Sequence, residues 1–176
     1  MGPLEKLRIL GAAARYDASC ASGASRVSGA SKGQGPIPGI YLSRSDLGGC
    51  FPLLNVLYIN RCAYDCAYCA NRISADVPRL TFDPKELADL TVSFHRRGWI
   101  TGLFLSSAVL HSPDRTMGEL VKVLKILRRE KGFRGYIHAK TIPGADPALV
   151  REAALYADRV SVNIELSTEE SLRRLA

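Results

Sequence analysis

The sequence predicts an α/β protein, built as an incomplete (β/α) barrel of about four βα units behind an irregular N-terminal extension. From Leu53 onward, apolar runs rich in β-branched residues alternate with stretches whose apolar residues recur at the helical period. Each helical stretch begins with a side chain that can cap a helix N-terminus, followed by a proline or, three residues later, a glutamate. Four strand–helix pairs occupy residues 53–176, about thirty residues per unit, which is the repeat length of βα barrels. Such alternation predicts a parallel sheet.

The individual elements follow from local signals. Strands are predicted at 53–59, 99–107, 136–140 and 159–166. Helices are expected to begin with a capping box at Asp83, with Pro84 as first helical residue, and then at Thr116, Asp146 and Ser167. Gly98 and Gly132 are expected to end the first two of these helices. The segment between the first strand and the first helix is long for a βα connection, and long loops are often functional.

The N-terminal extension, residues 1–52, differs in composition from the rest of the chain. Residues 4–14 fit a short amphipathic helix, and residues 18–35 consist mainly of Gly, Ser and Ala, as in a flexible linker. Prolines at 36, 38 and 52 indicate an extended lead-in to the first strand. The glycines do not precede a Lys-Ser/Thr pair at the spacing of a phosphate-binding loop, which excludes a nucleotide P-loop. We therefore divide the chain into 1–52 and a partial barrel, 53–176.

Composition and charge limit the possible partners. Hydrophobic residues make up 47% and charged residues 23% of the chain, as in ordinary soluble domains. The apolar runs are shorter than a membrane span, and the first residues lack the pattern of a secretory signal, so we expect a cytoplasmic protein without a membrane partner. The net charge of +7 permits a polyanionic partner such as DNA or RNA without demonstrating one.

The cysteines indicate metal binding. Three of the five lie within eight residues, at Cys62, Cys66 and Cys69, which is unlike a disulfide framework. We expect the other two, Cys20 and Cys50, to be small buried hydrophobic residues, with an accessory thiol as the alternative. Thiolates on one loop favour zinc, Cu(I) or iron–sulfur. Three protein ligands leave one coordination position open, which suits chemistry better than a structural site.

The spacing C-x3-C-x2-C directly after a first strand, with the aromatic Tyr68 before the third cysteine, resembles the signature of radical S-adenosylmethionine (SAM) enzymes. The resemblance implies that Cys62, Cys66 and Cys69 hold a [4Fe-4S] cluster whose fourth iron binds SAM. It implies an enzyme that cleaves SAM reductively to a 5′-deoxyadenosyl radical, with an electron donor such as flavodoxin or ferredoxin. Barrels of this superfamily usually contain six βα units, so the sequence resembles the N-terminal part of a longer protein.

Polar residues at the predicted strand ends are the remaining site candidates, because the carboxyl ends of barrel strands converge on one mouth. The resemblance implies that Ser106 and Ser107, after the second strand, and Asn163 and Glu165, in the fourth, contact SAM. The superfamily often has Gly-Gly-Glu where this chain has serines. The alternative for the serines is capping of the loop. Burying a carboxylate is costly unless it is paired or binds a ligand, so a glutamate in an otherwise apolar strand favours a functional role for Glu165.

The third predicted strand contains two further polar residues, Lys140 and His138. Lys140 ends the strand and is either a site residue or a surface residue. His138, two positions earlier, is expected to be a packing residue.

A narrower resemblance combines the N-terminus with the cysteine loop. Lys6-Leu7-x-Ile9-Leu10-Gly11, Tyr16-Asp17-x-Ser19-Cys20 and Tyr68-Cys69-x-Asn71-Arg72 are similar to the branch of DNA modification/repair radical SAM proteins. This likeness implies nucleic acid as the substrate. The alternative hypothesis is a non-catalytic zinc or iron–sulfur module of a nucleic-acid-binding protein.

Overall fold

The structure is a computed structural model that describes residues 1–14, 37–44 and 49–176. Within them, the chain forms five strands and five α-helices. In chain order these are α1 (Pro3–Ala14), β1 (Ile40–Arg44), β2 (Cys50–Leu57), α2 (Pro84–Arg96), β3 (Gly102–Ser106), α3 (Pro113–Lys125), β4 (Tyr136–Lys140), α4 (Pro147–Ala154), β5 (Arg159–Ser161) and α5 (Glu169–Leu175). A π-helical segment, Ile126–Glu130, continues α3. The predicted linker 18–35 and Cys20 lie outside the described residues.

The sheet is open, with its five strands in the order β1-β2-β3-β4-β5. Strands β2 to β5 run parallel, and each is followed by a helix, which confirms the α/β class and the four predicted βα units. The described strands do not close into a barrel. Strand β1 pairs antiparallel with β2, with Ile40 opposite Leu54, so the predicted extended lead-in is in fact half of a hairpin.

One face of the sheet carries the hydrophobic core. Alternate strand residues, such as Leu54, Leu103 and Ile137, are fully buried and belong to one cluster with the apolar sides of the helices. The helical members include Leu10 of α1, Leu87 of α2 and Met117, Leu120 and Leu124 of α3. Alternation along each strand therefore sends the intervening side chains to the opposite face.

The helix ends show where local signals are reliable. Asp83 accepts hydrogen bonds from the backbone N–H groups of Lys85 and Glu86, and the Glu86 carboxylate accepts one from the Asp83 N–H, so the predicted capping box is confirmed. Gly98 follows the end of α2 and has a φ of 70°, a conformation in which a residue with a Cβ would be strained. Helix α3 begins earlier than predicted, because Ser112 caps it and Pro113 is its first residue.

The last predicted strand is wrong in length. The prediction covered 159–166, but β5 ends at Ser161, which is paired with Lys140, the last residue of β4. Residues beyond Ser161 thus have no strand residue of β4 beside them, and Glu165 adopts a left-handed φ of 51°. Among the described residues, no helix is long and apolar enough to cross a membrane.

Candidate metal centre and the polar strand ends

The cysteine loop, residues 60–80, leaves the carboxyl end of β2 and is closed at its base. The buried side chain of Asn60 accepts a hydrogen bond from the Leu80 N–H at 2.8 Å and donates one to the Pro78 carbonyl at 2.7 Å. Immediately outside this pair, Ile59 and Thr81 form an antiparallel bridge. The two ends of the loop are therefore held together by its first residue, as in the stem of a hairpin.

Arg79 organises the interior of the loop. Its guanidinium donates four hydrogen bonds, at 2.6–2.8 Å, to the backbone carbonyls of Asn60, Asn71, Arg72 and Ala75. The planar fork of arginine suits such multiple contacts, whereas an ammonium group does not. One side chain thus fixes both the start of the loop and the segment that follows the third cysteine.

The three cysteines are all half-buried on this loop. The Cys69 N–H donates to the Cys66 carbonyl at 2.9 Å, which makes a tight turn between the second and third cysteines. Backbone N–H groups also point at two sulfurs, from Tyr64 to Cys62 Sγ at 3.5 Å and from Asn71 to Cys69 Sγ at 3.4 Å. The N–H of Asn71 acts to lower the pKa of the Cys69 thiol, against the larger effect of burial, and the thiolate is the form that binds metal.

Electrostatic interactions link the thiols to one another. Burial raises the pKa of the Cys69 thiol, the Asn71 N–H lowers it, and the nearby Cys62, Cys66 and Glu165 raise it further. In the described part of the chain, no three His, Cys, Asp or Glu side chains are arranged to hold one metal ion. Ligands of a cluster need not converge on one atom, because each thiolate binds a different iron.

Tyr68 lies beside the cysteines with 46% of its surface exposed. Burial of its hydroxyl and the neighbouring Cys66, which is also its hydrogen-bond partner, raise the pKa of Tyr68 to about 12. Its position leaves the ring available to a molecule bound at the loop.

The end of β3 is joined to the start of the cysteine loop by backbone hydrogen bonds, including one from the Ala108 N–H to the Ile59 carbonyl at 2.9 Å. Ser106 and Ser107 therefore lie next to the start of the loop. The Ser107 hydroxyl donates to the adjoining Ala108 carbonyl at 2.7 Å, which is the local capping role. Ser106 is only 1% exposed, and its hydroxyl has no hydrogen-bond partner among the described residues.

The segment after β5 supplies the other predicted polar residues. Lys140 Nζ donates to Asn163 Oδ1, and Asn163 Nδ2 donates to Glu165 Oε1 at 2.5 Å. Glu165 interacts electrostatically with both Tyr68 and Cys69, so this chain of polar groups extends from β4 towards the cysteine loop. Asn163 and Glu165 are exposed and lie beyond the strand, whereas the sequence placed them within it.

The structure corrects one prediction about cysteines. Cys50 is exposed at the start of β2, so it is not the buried hydrophobic residue that was expected. It lies at the opposite end of β2 from the cysteine loop and pairs, as a strand residue, with Arg44 of β1. His138 does pack as predicted, with its ring against Phe104 at 4.6 Å between centroids, and it also lies 2.7 Å from the Ser161 hydroxyl.

Sequence reasoning missed Arg79 and the full role of Asn60. Nothing in the local pattern distinguishes Arg79 from the other arginines of the loop. Asn60 carries a weak signal, because it is a polar residue directly after a buried strand. Comparison of the chain with protein-family models, curated proteins and solved structures gives no match.

Proposed function

We propose that the chain is a radical SAM enzyme in which Cys62, Cys66 and Cys69 hold a [4Fe-4S] cluster. The observation that carries the proposal is the position of three half-buried thiols on one closed loop, at the carboxyl end of β2 and beside the polar ends of its neighbours. In such enzymes the cluster supplies reductive cleavage of SAM to methionine and a 5′-deoxyadenosyl radical, with an electron from flavodoxin or ferredoxin.

The residues present fit this cofactor. Thiolates are the ligands that iron–sulfur clusters use, and the N–H groups of Tyr64 and Asn71 point at two of the sulfurs. The buried Ser106 hydroxyl has no partner among the described residues, so it has hydrogen-bonding capacity that a bound molecule can use. Tyr68, beside the same cysteines, has a half-exposed ring.

Each residue has a distinct part in binding and orientation. Arg79 and Asn60 hold the backbone of the loop that carries the thiols. Glu165 offers a carboxylate that accepts hydrogen bonds from an ammonium group, and Asn163 orients that carboxylate. We propose nucleic acid as the substrate class, on the support of the net charge of +7.

The test of the proposal measures iron content and 5′-deoxyadenosine after anaerobic reconstitution, with SAM and a strong reductant. Wild-type protein is expected to bind about four irons per chain and to release 5′-deoxyadenosine. Replacing Cys62, Cys66 or Cys69 with Ala is expected to abolish both, because two cysteines cannot provide three protein ligands.

Cys50→Ala is the matched control, since Cys50 is an exposed thiol outside the loop. It is expected to keep the iron and the activity. A triplet variant that retains iron and still yields 5′-deoxyadenosine would refute the mechanism. Colourless protein that binds zinc and no iron would instead support the alternative of a non-catalytic zinc module.

A further inference from the structure

Basic residues gather at the amino ends of β3 and β4. Helix α2 ends at Arg96, shortly before β3, and the π-helical segment ends at Glu130, shortly before β4. The two strands are parallel, so these connections lie at the same end of the sheet. We define the basic residues of the two connections as the arginine-rich surface, which consists of Arg96, Arg97, Arg129, Lys131 and Arg134.

The arginine-rich surface lies at the opposite end of the sheet from the cysteine loop. The loop leaves the carboxyl end of β2, which runs parallel to β3. Strand β3 has five residues. At about 3.3 Å per residue, its two ends are roughly 15 Å apart. A molecule bound to this surface is therefore outside the cysteine site.

Tertiary contacts join the two connections into one surface. The rings of His95 and Phe133 meet edge to face, with 5.0 Å between their centroids. Lys131 Nζ forms an ion pair with Asp89 Oδ1 of α2 at 2.5 Å. The fold thus holds the basic residues of both connections in fixed proximity.

The four arginines of this surface are exposed, and none forms an ion pair with a carboxylate in the described part of the chain. Two nearby acidic residues are already paired. Asp89 binds Lys131, and Asp158 binds Arg128 at 2.6 Å. Glu130 is the acidic residue that the two connections themselves contain. Four guanidinium groups against one carboxylate leave the surface strongly positive.

Two grooves adjoin the segment 131–134. One has a volume of about 360 Å³ and lies between α2 and Lys131. The other has a volume of about 500 Å³ and lies between residues 132–134 and residues 155–158. The surface therefore offers concave sites to an anion.

An arginine lies over an aromatic ring beside each groove. The guanidinium carbon of Arg97 is 4.9 Å from the centroid of the Trp99 ring, and that of Arg129 is 5.6 Å from the centroid of the Tyr156 ring. Both rings are partly exposed. The surface thus combines cationic and aromatic groups.

Helix stability alone does not account for this arrangement. Cations near the C-terminus of a helix complement its dipole, which is a sufficient reason for Arg96 and Arg129. It does not apply to Arg134, which lies beyond the helical residues. The dipole also gives no reason for the aromatic rings beside the grooves.

We propose that the arginine-rich surface binds the phosphodiester backbone of a single-stranded nucleic acid. A guanidinium group binds phosphate oxygens through two parallel hydrogen bonds, and neighbouring aromatic rings allow bases to stack. Grooves of this kind suit a flexible strand better than a flat membrane. The proposal deepens the substrate class of the proposed function and rests on it, but it requires nothing of the cysteine loop.

The experiment measures the affinity of the full chain for a labelled single-stranded DNA of roughly 20 nucleotides by fluorescence anisotropy, between about 50 and 200 mM salt. Arg97→Gln and Arg134→Gln are each expected to weaken binding about three- to tenfold and to reduce the salt slope by about one. Arg97→Lys retains the charge, so it is expected to retain the salt slope.

Arg115→Gln is the matched control, and it is expected to bind like wild type. Arg115 is an exposed arginine at the start of α3, just beyond the carboxyl end of β3. Trp99 is the single tryptophan of the chain, so its fluorescence reports on the arginine-rich surface. Its emission is expected to change when unlabelled DNA saturates the protein. A melting temperature close to wild type shows that each variant is folded.

Three results would overturn the proposal. They are no DNA binding at about 50 mM salt, equal affinities of Arg97→Gln, Arg134→Gln and Arg115→Gln, and unchanged Trp99 emission at saturation. Binding to phosphatidylserine vesicles through Arg97 and Arg134, without binding to DNA, would also overturn it and assign the surface to a membrane.

Iron content and 5′-deoxyadenosine formation are measured on the same samples without DNA. Arginine-dependent DNA binding by a chain that holds no iron supports this proposal and refutes the cysteine chemistry. Iron and 5′-deoxyadenosine without DNA binding refute this proposal alone.

Discussion

Replacing Arg79 is expected to release the cysteine loop while leaving the sheet intact. Hydrogen bonds to a charged donor contribute about 1.5–3 kcal/mol each when buried, and Arg79 makes four. The side chain is half-buried, and water can reach some of the released carbonyls, so the full sum is not expected. We expect Arg79→Ala to lower the local free energy of opening by about 2–4 kcal/mol, equivalent to roughly 30- to 1,000-fold faster amide exchange in the loop.

Hydrogen–deuterium exchange with mass spectrometry measures this effect. Peptides that contain the Ile73 N–H, which donates to the Tyr64 carbonyl at 2.8 Å, report on the loop, and peptides from β3 report on the core. Arg61→Ala is the control, because Arg61 is exposed on the same loop. Arg79→Lys is expected to resemble Arg79→Ala, since an ammonium lacks the fork. Loop exchange in Arg79→Ala equal to that of Arg61→Ala would refute the reasoning.

Three other predictions concern pH, SAM and salt. The pKa of His138, lowered by burial, is about 4 in the folded chain and 6.5 ordinarily, so between these pH values the unfolded chain binds a proton at His138 that the folded chain does not. The free energy of unfolding is therefore expected to fall by about 1–3 kcal/mol as the pH drops from 6.5 to 4. Urea denaturation across this range should show a flatter profile for His138→Gln; an unchanged profile contradicts the prediction. Glu165→Gln is expected to keep its iron and to weaken SAM binding about ten- to a hundred-fold in an equilibrium binding assay, and equal affinity would exclude the contact. Affinity for single-stranded oligonucleotides, measured by fluorescence anisotropy, is expected to fall steeply with salt, and no binding at low salt removes nucleic acid from the proposal.

The parts of the fold that sequence reasoning predicted are those with local causes. Asp83 with Glu86 and the chain turn at Gly98 act within a few residues, and both predictions are confirmed. Helix α3 shows how local signals compete. Thr116 has the spacing of a cap, but Ser112 with Pro113 begins the helix. The Thr116 hydroxyl instead lies 3.0 and 2.9 Å from the Leu110 and Ser112 carbonyls, the two acceptors available to its one proton.

Features that depend on distant partners were not predictable. The apolar alternation of 159–166 indicates a strand, but its length is set by β4, which ends at Lys140. Strand β1 is short and is defined by its antiparallel pairing with β2. Arg79 belongs to the same class, because its four partners are backbone carbonyls whose positions follow from the folded loop.

Strand β5 lies at the edge of the described sheet, and its shortness affects how copies of the chain meet. Val162 and Ile164, just beyond it, are 53% and 81% exposed and would favour strand addition by another molecule. The strand itself offers only three residues, begins with the exposed Arg159, and is followed by the left-handed backbone of Glu165. A charged residue and a backbone kink are devices that keep sheet edges from joining. The short strand, the charge of Arg159 and the backbone of Glu165 therefore disfavour edge-to-edge pairing of β5 with another copy, despite the exposed Val162 and Ile164.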